Sequence, residues 1–261
     1  MLRPDELRAS VEEYLDRLEL SREVAGLGEA MRYALEGGGK RIRPVLCLAT
    51  AEAVGGDVDD ALPAAAALEL VHSFSLVHDD LPALDDDEER RGRATAHVRF
   101  GEAPAILAGD ALLTEAFSLA LRYPANEIGR ELAQATSGMI AGQFLDVDGG
   151  TPDRAELNRL KTGRLFEASV ACGLFAAEVP EAEHPAWRSF GADYGFLYQV
   201  VDDLLDGDGF AQELGEEPTR SLASQTEDAA RARLLELPVD ASVLSMLVDE
   251  LVARAQQSNS A

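Results

Sequence analysis

Residues 61–93 read ALPAAAALELVHSFSLVHDDLPALDDDEERRGR and join an apolar segment to a dense run of acids and bases. Residues 61–77 form the most apolar predicted helix of the chain, and they deliver Asp79 and Asp80 at its carboxyl end. Carboxylates at that end oppose the helix dipole, so the placement is unfavourable unless cations neutralise them. The stretch therefore predicts a helix that ends in a cation site, with a solvated acidic loop as the alternative.

The composition of the whole chain indicates a helical architecture. Hydrophobic residues make up 46% of the 261 residues, aromatic residues make up 6%, and alanine and leucine are abundant. This balance favours helices packed on helices. Because no Pro-, Gly- or Ser-rich linker divides the chain, we predict an all-α bundle in a single domain over residues 1–261.

Amphipathic periodicity and apolar runs predict the other helices. They cover about residues 4–18, 22–35, 103–121, 126–144, 153–177 and 187–205, with one or two more between 226 and 255. The glycine run Gly37-Gly38-Gly39 is expected to stop the helix at 22–35, and Thr151-Pro152 to open the helix at 153–177. Pro44 opens a further apolar segment.

The charge and the cysteines exclude several classes of protein. The net charge is 23 − 48 = −25, which predicts repulsion from nucleic acid and from anionic membrane surfaces. Lysine occurs only as Lys40 and Lys161, so the acidity fits either adaptation to high salt or a codon bias towards arginine. Cys47 and Cys172 lie in apolar runs and are expected to be buried free thiols in a reducing cytoplasm. No uninterrupted run of 18 apolar residues occurs, so we expect no stable membrane insertion.

A second acidic run lies at residues 195–206, GFLYQVVDDLLD. Asp202 and Asp206 are one helical turn apart and share a face at about 5–6 Å, with Asp203 adjacent and Gln199 one turn earlier. Acids in so apolar a helix resist burial unless metal or bases pair with them; a solvated acidic face is the alternative. If the two acidic runs face each other, their carboxylates line one cavity mouth above apolar walls. That arrangement suits a ligand with a phosphate head and a hydrocarbon tail.

Basic residues cluster where a phosphate could bind. Lys40, Arg41 and Arg43 follow the glycine run at the start of a helix, an arrangement that either binds phosphate or forms a basic surface. Arg90, Arg91 and Arg93 follow the first acidic run, and arginine forks match phosphate oxygens well.

Five motifs in this order resemble the trans-isoprenyl diphosphate synthases, also called polyprenyl synthetases. They are GGKRIRP (38–44), HDDLPALD with RRG (78–92), GQFLD (142–146), KTGRLF (161–166) and YQVVDDLLD (198–206). The resemblance implies an all-α bundle around a deep central cavity, usually a cytoplasmic homodimer. It also implies chemistry by ionisation, condensation and elimination.

The resemblance implies a Mg²⁺ site shared by the two acidic runs, with three ions when substrate is bound. Asp79 and Asp85 on one side and Asp202 on the other would hold the ions that bridge an allylic diphosphate. The supporting metal ligands, or residues that hold waters, would be Asp80, Asp203 and Asp206.

The resemblance also assigns roles to the basic and polar residues. Together with the metal, the departing diphosphate would be stabilised by Arg90, Lys161, Thr162 and Gln199. The second substrate, isopentenyl diphosphate, would be bound by Lys40, Arg43, His72 and Arg91. Its double bond attacks the allylic cation, and a proton is then lost to the released diphosphate.

Product length is expected to depend on Phe74. This residue lies five positions before Asp79, about 7–8 Å further down the helix axis. A bulky ring there would floor the cavity, while the small Ser75 leaves room for the starter. We predict a C15 product, farnesyl diphosphate, with the C20 geranylgeranyl diphosphate as the alternative; simple core packing is the other explanation of Phe74.

The chain departs from the family pattern after Asp206. The family usually continues with a lysine-bearing loop that covers the allylic diphosphate, whereas residues 207–225 here contain no lysine; Arg220 is a partial substitute. Two other functions remain open, a non-catalytic subunit of a heteromeric prenyl synthase and a class I terpene cyclase. The first would be expected to lose aspartates from one motif, and the second normally mixes Asn, Ser/Thr and Glu in its second metal site.

Overall fold

The structure is a computed structural model that describes residues 1–20, 24–36, 38–149 and 153–257. Across these residues it is helical apart from one short hairpin. The helices are α1 (Pro4–Asp16), α2 (Ala25–Leu35), α3 (Ile42–Ala53), α4 (Val58–Asp79), α5 (Ala96–Phe100), α6 (Glu102–Ala120), α7 (Glu127–Asp148), α8 (Arg154–Asn158), α9 (Arg164–Ala176), α10 (His184–Asp206), α11 (Gly209–Leu214), α12 (Glu216–Glu236) and α13 (Ser242–Gln257). The prediction of an all-α fold is confirmed.

Helix α4 lies at the centre of the bundle, in contact with α3, α6 and α9. The run of alanines from Ala64 to Ala67 is buried, with at most 1% of each residue exposed. Small side chains let neighbouring helices approach closely, and Gly173 of α9 shows how closely. A Cβ atom on Gly173 would lie 2.4 Å from the Cys47 carbonyl oxygen of α3. The low aromatic content therefore reflects close packing of helices around α4.

Helix α4 begins three residues before the predicted start at Ala61 because Asp57 caps it. The Asp57 side chain accepts a hydrogen bond of 2.9 Å from the Asp59 backbone N–H, a favourable arrangement at a helix N-terminus. At the other end α4 continues to Asp79, so the first acidic run starts on the last turn of the most buried helix.

The predicted helix at 153–177 is interrupted by a π-helical turn at Arg159–Gly163. This π turn carries Lys161 and Thr162. Such turns are rare and are frequent at functional sites, because the extra residue redirects the side chains around it. Periodicity alone did not predict the interruption.

A two-stranded hairpin pairs β1 (Glu89–Arg90) with β2 (Arg93–Ala94) in antiparallel register. Its turn residues, Arg91 at φ 55° and Gly92 at φ 74°, have the positive φ values that match the twist of the strands. The sequence did not predict this hairpin, since two-residue strands are too short to show an alternating pattern.

Some predicted boundaries fall outside the described residues. These are the start of the second helix near Arg22, Gly37 of the glycine run, and the opening pair Thr151-Pro152. Cys47 and Cys172 are buried free thiols as predicted.

Two helices, Val58–Asp79 and Glu102–Ala120, are long and apolar enough to cross a membrane by length and composition alone. In Val58–Asp79, 78% of the apolar window is buried inside the protein, as expected of a core helix. Apolar length is therefore weak support for a membrane span here. The second helix has only 39% of its window buried and leaves an apolar face exposed.

Candidate active site

A cavity of about 380 Å³ lies between α3, α4, α7 and the π turn, within the size range typical of small-molecule sites. Its polar lining comprises Arg43, His72, Asp79, Gln143, Lys161 and Thr162. Its apolar lining includes Phe74, Leu76, Leu84, Met139, Ile140, Phe144 and Val147. One cavity thus combines charged and apolar walls, and among the described residues Asp79 is the one predicted metal ligand in its lining.

The first acidic run places Asp79 on the cavity wall and folds the following loop back beside it. Burial raises the pKa of Asp79 to about 6, while Lys161 opposes that shift and Asp85 adds to it. The Asp85 backbone N–H donates to the Asp79 carbonyl oxygen at 2.9 Å, which closes the loop. The Asp85 side chain accepts from Gln143 Nε2 at 3.4 Å. Asp79 and Asp85 therefore belong to one carboxylate cluster.

Asp80 is held by the hairpin. It is 4% exposed, and it accepts from Arg90 Nε at 2.7 Å and lies 2.6 Å from Arg90 Nη2. A buried carboxylate engaged by two nitrogens of one guanidinium is well stabilised. The pair fixes Arg90 beside the first acidic run.

In the second acidic run, as in the first, two neighbouring aspartates have different partners. Asp203 is 3% exposed and accepts hydrogen bonds from Gln199 Nε2 at 2.6 Å and from the Phe210 backbone N–H at 2.8 Å. Asp202, by contrast, accepts from Arg254 Nη2 at 3.0 Å across the bundle. Burial raises the pKa of Asp206, and the neighbouring Asp202 raises it further.

The π turn connects the second acidic run to the cavity. Thr162 Oγ1 donates to Gln199 Oε1 at 2.8 Å, and Gln199 in turn holds Asp203. Lys161 Nζ lies 2.6 Å from Asp146 Oδ2, the last residue of GQFLD. Gly142 permits this arrangement, since a Cβ atom there would lie 2.6 Å from the Lys161 backbone nitrogen.

Arg43, His72 and Arg91, which are predicted to bind the second diphosphate, lie close enough to influence one another electrostatically. Arg43 stacks over the Phe166 ring at 4.4 Å, and burial lowers its pKa. Burial lowers the pKa of His72 well below its usual value, and Arg43 lowers it further, so His72 is neutral at pH 7. Lys40 lies near this group, and the Arg91 guanidinium donates to the Gly38 carbonyl oxygen, which joins the hairpin to the glycine loop.

Arg41 is structural, although the sequence grouped it with Lys40 and Arg43 as a base. It is 7% exposed, and its guanidinium bonds Glu69 at 2.6 Å, Glu12 at 2.8 Å and the Leu35 carbonyl at 2.6 Å. Its backbone is left-handed at φ 47°, which turns the side chain away from the direction of its neighbours. Arg41 therefore anchors the start of α3.

Phe74 and Ser75 both line the cavity. The Phe74 ring packs edge-on against His78, with a centroid separation of 4.9 Å. Ser75 Oγ donates to the His72 carbonyl at 2.8 Å and so presents little bulk. Both residues therefore lie on the cavity wall, and their role in product length stays a prediction.

Arg254 bonds Asp202 of the second acidic run, a contact that the sequence did not predict. It lies in α13, which the sequence analysis treated as part of an ordinary amphipathic region, and no nearby motif marks it. Arg220, the predicted substitute for the missing lysines, pairs with Glu216 at 2.5 Å and lines a different cavity, behind α10. Only the packing of α13 against α10 reveals which arginine meets the second acidic run.

The donor set fits Mg²⁺ held partly by a substrate. Among the described residues, no three His, Cys, Asp or Glu side chains converge as a preformed metal cluster. Mg²⁺ is usually bound through one or two carboxylates together with substrate phosphates and waters. The carboxylates of Asp79, Asp85, Asp202 and Asp206 are hard oxygen donors of that kind, and Lys161 and Arg254 now balance part of their charge.

Comparisons with known proteins agree with this geometry. The family model for polyprenyl synthetase matches residues 24–223. The chain is 43% identical to farnesyl diphosphate synthase of Micrococcus luteus over 201 residues, which cover 72% of this chain and 69% of that protein. It is 41% identical to geranylgeranyl diphosphate synthase of Cyanophora paradoxa over 212 residues, covering 76% and 71%. A crystal structure of geranyltransferase from Legionella pneumophila aligns with a TM-score of 0.88 at 33% identity, covering 98% of this chain and 96% of that one.

Proposed function

The chain belongs to the polyprenyl synthetase family, and from this premise we propose that it condenses isopentenyl diphosphate with an allylic diphosphate. The product is a short-chain trans-prenyl diphosphate. The observation that carries the proposal is one cavity with Asp79, Lys161 and Arg43 in its polar lining and Phe74 in its apolar lining. The relatives do not favour a terpene cyclase or a non-catalytic subunit.

The allylic substrate binds between the two acidic runs. Asp79, Asp85 and Asp202 would hold Mg²⁺, three ions when substrate is present, and Asp206 would support them. Bound Mg²⁺ supplies positive charge that stabilises the departing diphosphate. Asp80 and Asp203 support the site indirectly by holding Arg90 and Gln199, because these protein donors already engage their carboxylates.

The chain's own cations complete the stabilisation of the leaving group. Lys161 and Arg90 face the diphosphate, and the Thr162–Gln199 hydrogen bond keeps the π turn aligned with α10. Preorganised donors of this kind stabilise developing charge without reorganisation during the reaction. The allylic carbon is left as a cation beside the apolar wall.

Isopentenyl diphosphate binds through Lys40, Arg43 and Arg91. His72 is neutral, so it contributes a hydrogen bond and no further positive charge. The double bond of isopentenyl diphosphate attacks the allylic cation, and the proton is lost to the released diphosphate. The chain then extends into the apolar part of the cavity.

The product proposed is farnesyl diphosphate, C15, with geranylgeranyl diphosphate as the alternative. Phe74 supports the shorter product because its ring lies on the cavity wall and packs against His78. A growing chain that reaches this pair of rings meets closely packed side chains of α4 and α6.

A cytoplasmic homodimer is also part of the proposal. Large apolar side chains on α6 and α7 are exposed, namely Ile106 (41%), Leu107 (58%), Ile140 (51%) and Phe144 (66%), and such surfaces commonly mark interfaces. Residues 1–261 would act as one domain, because α1 and α13, which lie outside the family match, pack on α3 and on each other. The Leu107→Ser variant should shift the mass in multi-angle light scattering towards the 27.9 kDa monomer. Leu235→Ser, at an isolated exposed leucine of α12, is the control.

The activity is tested by incubating purified protein with radiolabelled isopentenyl diphosphate, each candidate starter and Mg²⁺. Chromatography of the products should show label in C15 or C20 prenyl diphosphates, and none when Mg²⁺ is chelated. A cyclase would leave isopentenyl diphosphate untouched, and a non-catalytic subunit would consume neither substrate. Either of those results overturns the proposal.

A further inference from the structure

Arg254 occupies an unusual position at the edge of the active site. Its Nη2 donates to Asp202 at 3.0 Å, and its guanidinium lies 5.6 Å from the centroid of the Tyr198 ring. Arg43 lies 5.8 Å from the same ring. The Arg254 side chain, from α13, therefore extends from the second acidic run towards the residues assigned to bind isopentenyl diphosphate.

Part of the Arg254 guanidinium is unsatisfied. Its Nη1 is buried, and no atom of the described part of the chain accepts a hydrogen bond from it. Arg43 Nε is also buried and has no hydrogen-bond acceptor in the described part of the chain. Buried donors without partners are costly, so two of them on neighbouring arginines indicate that an acceptor-rich ligand completes the site.

Electrostatics favour an anionic ligand at this position. Burial lowers the pKa of Lys40, and Arg254 lowers it further, ahead of the opposing effect of Asp202. Lys40 thus experiences a surplus of positive charge although the protein carries a net charge of −25. Cations held together inside an acidic protein are stabilised by an anion that binds between them.

The lysine-free segment after Asp206 explains why this cation matters here. Residues 207–225 supply no lysine, and Arg220 pairs with Glu216 on the far side of α10. Arg254 is the basic residue that bonds the second acidic run directly.

We propose that Arg254 is a substrate-binding residue for the diphosphate of isopentenyl diphosphate, with Asp202 holding its guanidinium when no substrate is present. The inference rests on the proposed function and deepens it.

The test is calorimetric titration of isopentenyl diphosphate into the full chain without an allylic starter. Arg254→Gln should weaken binding about tenfold or more, the loss expected for charge-assisted hydrogen bonds to a diphosphate. Arg254→Lys should recover part of the affinity, because it keeps the charge and loses the forked geometry. In turnover assays the KM for isopentenyl diphosphate should rise more than the KM for the starter.

Arg231→Gln is the matched control, since Arg231 also joins α13 through a salt bridge, to Asp249 at 2.6 Å, away from the cavity. It should bind isopentenyl diphosphate as the unaltered protein does. Equal affinity of Arg254→Gln and the unaltered protein overturns the inference while leaving the proposed function intact. If Arg254→Gln fails to fold, wild-type affinity and KM in Arg254→Lys overturn it. Failure of the unaltered protein to bind or consume isopentenyl diphosphate overturns both.

Discussion

The two acidic runs share one internal design and differ in what surrounds them. In each, one aspartate of the adjacent pair is partly exposed, Asp79 or Asp202, while its neighbour, Asp80 or Asp203, is at most 4% exposed and held by protein donors. The first run ends a core helix and is braced by the hairpin arginine, Arg90. The second lies within α10 and meets an arginine from the other end of the chain.

The two runs also differ in the role of the helical residues that precede them. The first run lies beside the apolar part of the cavity, and we propose that residues preceding it on α4 control how far a product can grow. The second run is backed by α12 and α13, so residues preceding it on α10 serve the core. In each run, two adjacent aspartates that look equivalent in sequence therefore differ in the structure. One is partly exposed and is proposed to face the ligand, and the other is buried and held by protein donors.

The largest effect should come from the ligand-facing aspartate of the first run. Asp79→Asn removes a charge that holds Mg²⁺, and kcat should fall on the order of 10³-fold, equivalent to about 4 kcal/mol of transition-state stabilisation. Burial raises the pKa of Asp79 to about 6, so the ionised carboxylate is disfavoured in the fold at pH 7. The variant should therefore unfold in urea at the same concentration as the unaltered protein or a higher one. A variant that is both less stable and fully active would contradict the assignment.

Equivalent positions on the two helices should respond differently to truncation. Phe74 and Leu197 each lie five residues before the first aspartate of a run, but only Phe74 lines the active-site cavity, whereas Leu197 lines the one behind α10. Phe74→Ala should lengthen the products, with C20 exceeding C15. Leu197→Ala should leave product length unchanged and cost about 2–5 kcal/mol of unfolding free energy. Chromatography and urea titration of both variants check the contrast; an unchanged product distribution in Phe74→Ala removes the floor assignment.

The supporting aspartates should matter for stability. Asp203→Ala leaves Gln199 Nε2 and the Phe210 N–H without their acceptor, which should lower the unfolding free energy by about 1–3 kcal/mol. Activity should fall less than in Asp79→Asn, because the supporting carboxylate does not face the ligand. Urea unfolding with parallel turnover assays makes the measurement. A loss of activity as large as in Asp79→Asn, without a loss of stability, would place Asp203 among the ligand-facing residues.

The smallest effect should come from Arg220. It pairs with Glu216 one turn away on α12, and pairs of this kind contribute about 0–1 kcal/mol. Arg220→Gln should change kcat and both KM values by less than about twofold, in contrast to Arg254→Gln. A large rise in the KM for the allylic starter would restore Arg220 as the substitute for the missing lysines.

Local pattern accounts for most of the fold and for much of the site. The apolar run at 61–77 and the amphipathic spacing elsewhere predicted most of the long helices to within a few residues in the described ranges, because burial of one helical face repeats every turn. The exception is α12, which begins at Glu216, ten residues before the predicted start near 226. The cavity-lining positions of Asp79, His72 and Lys161 follow from motifs on these helices. The hairpin and the π turn escaped prediction because both are two- to five-residue irregularities without a periodic signal.

By itself, the sequence determined the helical class, the two acidic runs and the basic positions, since these depend on residue type and on spacing along one helix. Tertiary structure alone decided that Arg41 is enclosed by Glu12 and Glu69, that Asp80 and Asp203 point to protein donors, and that Arg254 meets Asp202 across 52 residues of chain. The physical reason is that a charge's partner is set by which helices pack together, and the free energy of that packing is summed over the whole core.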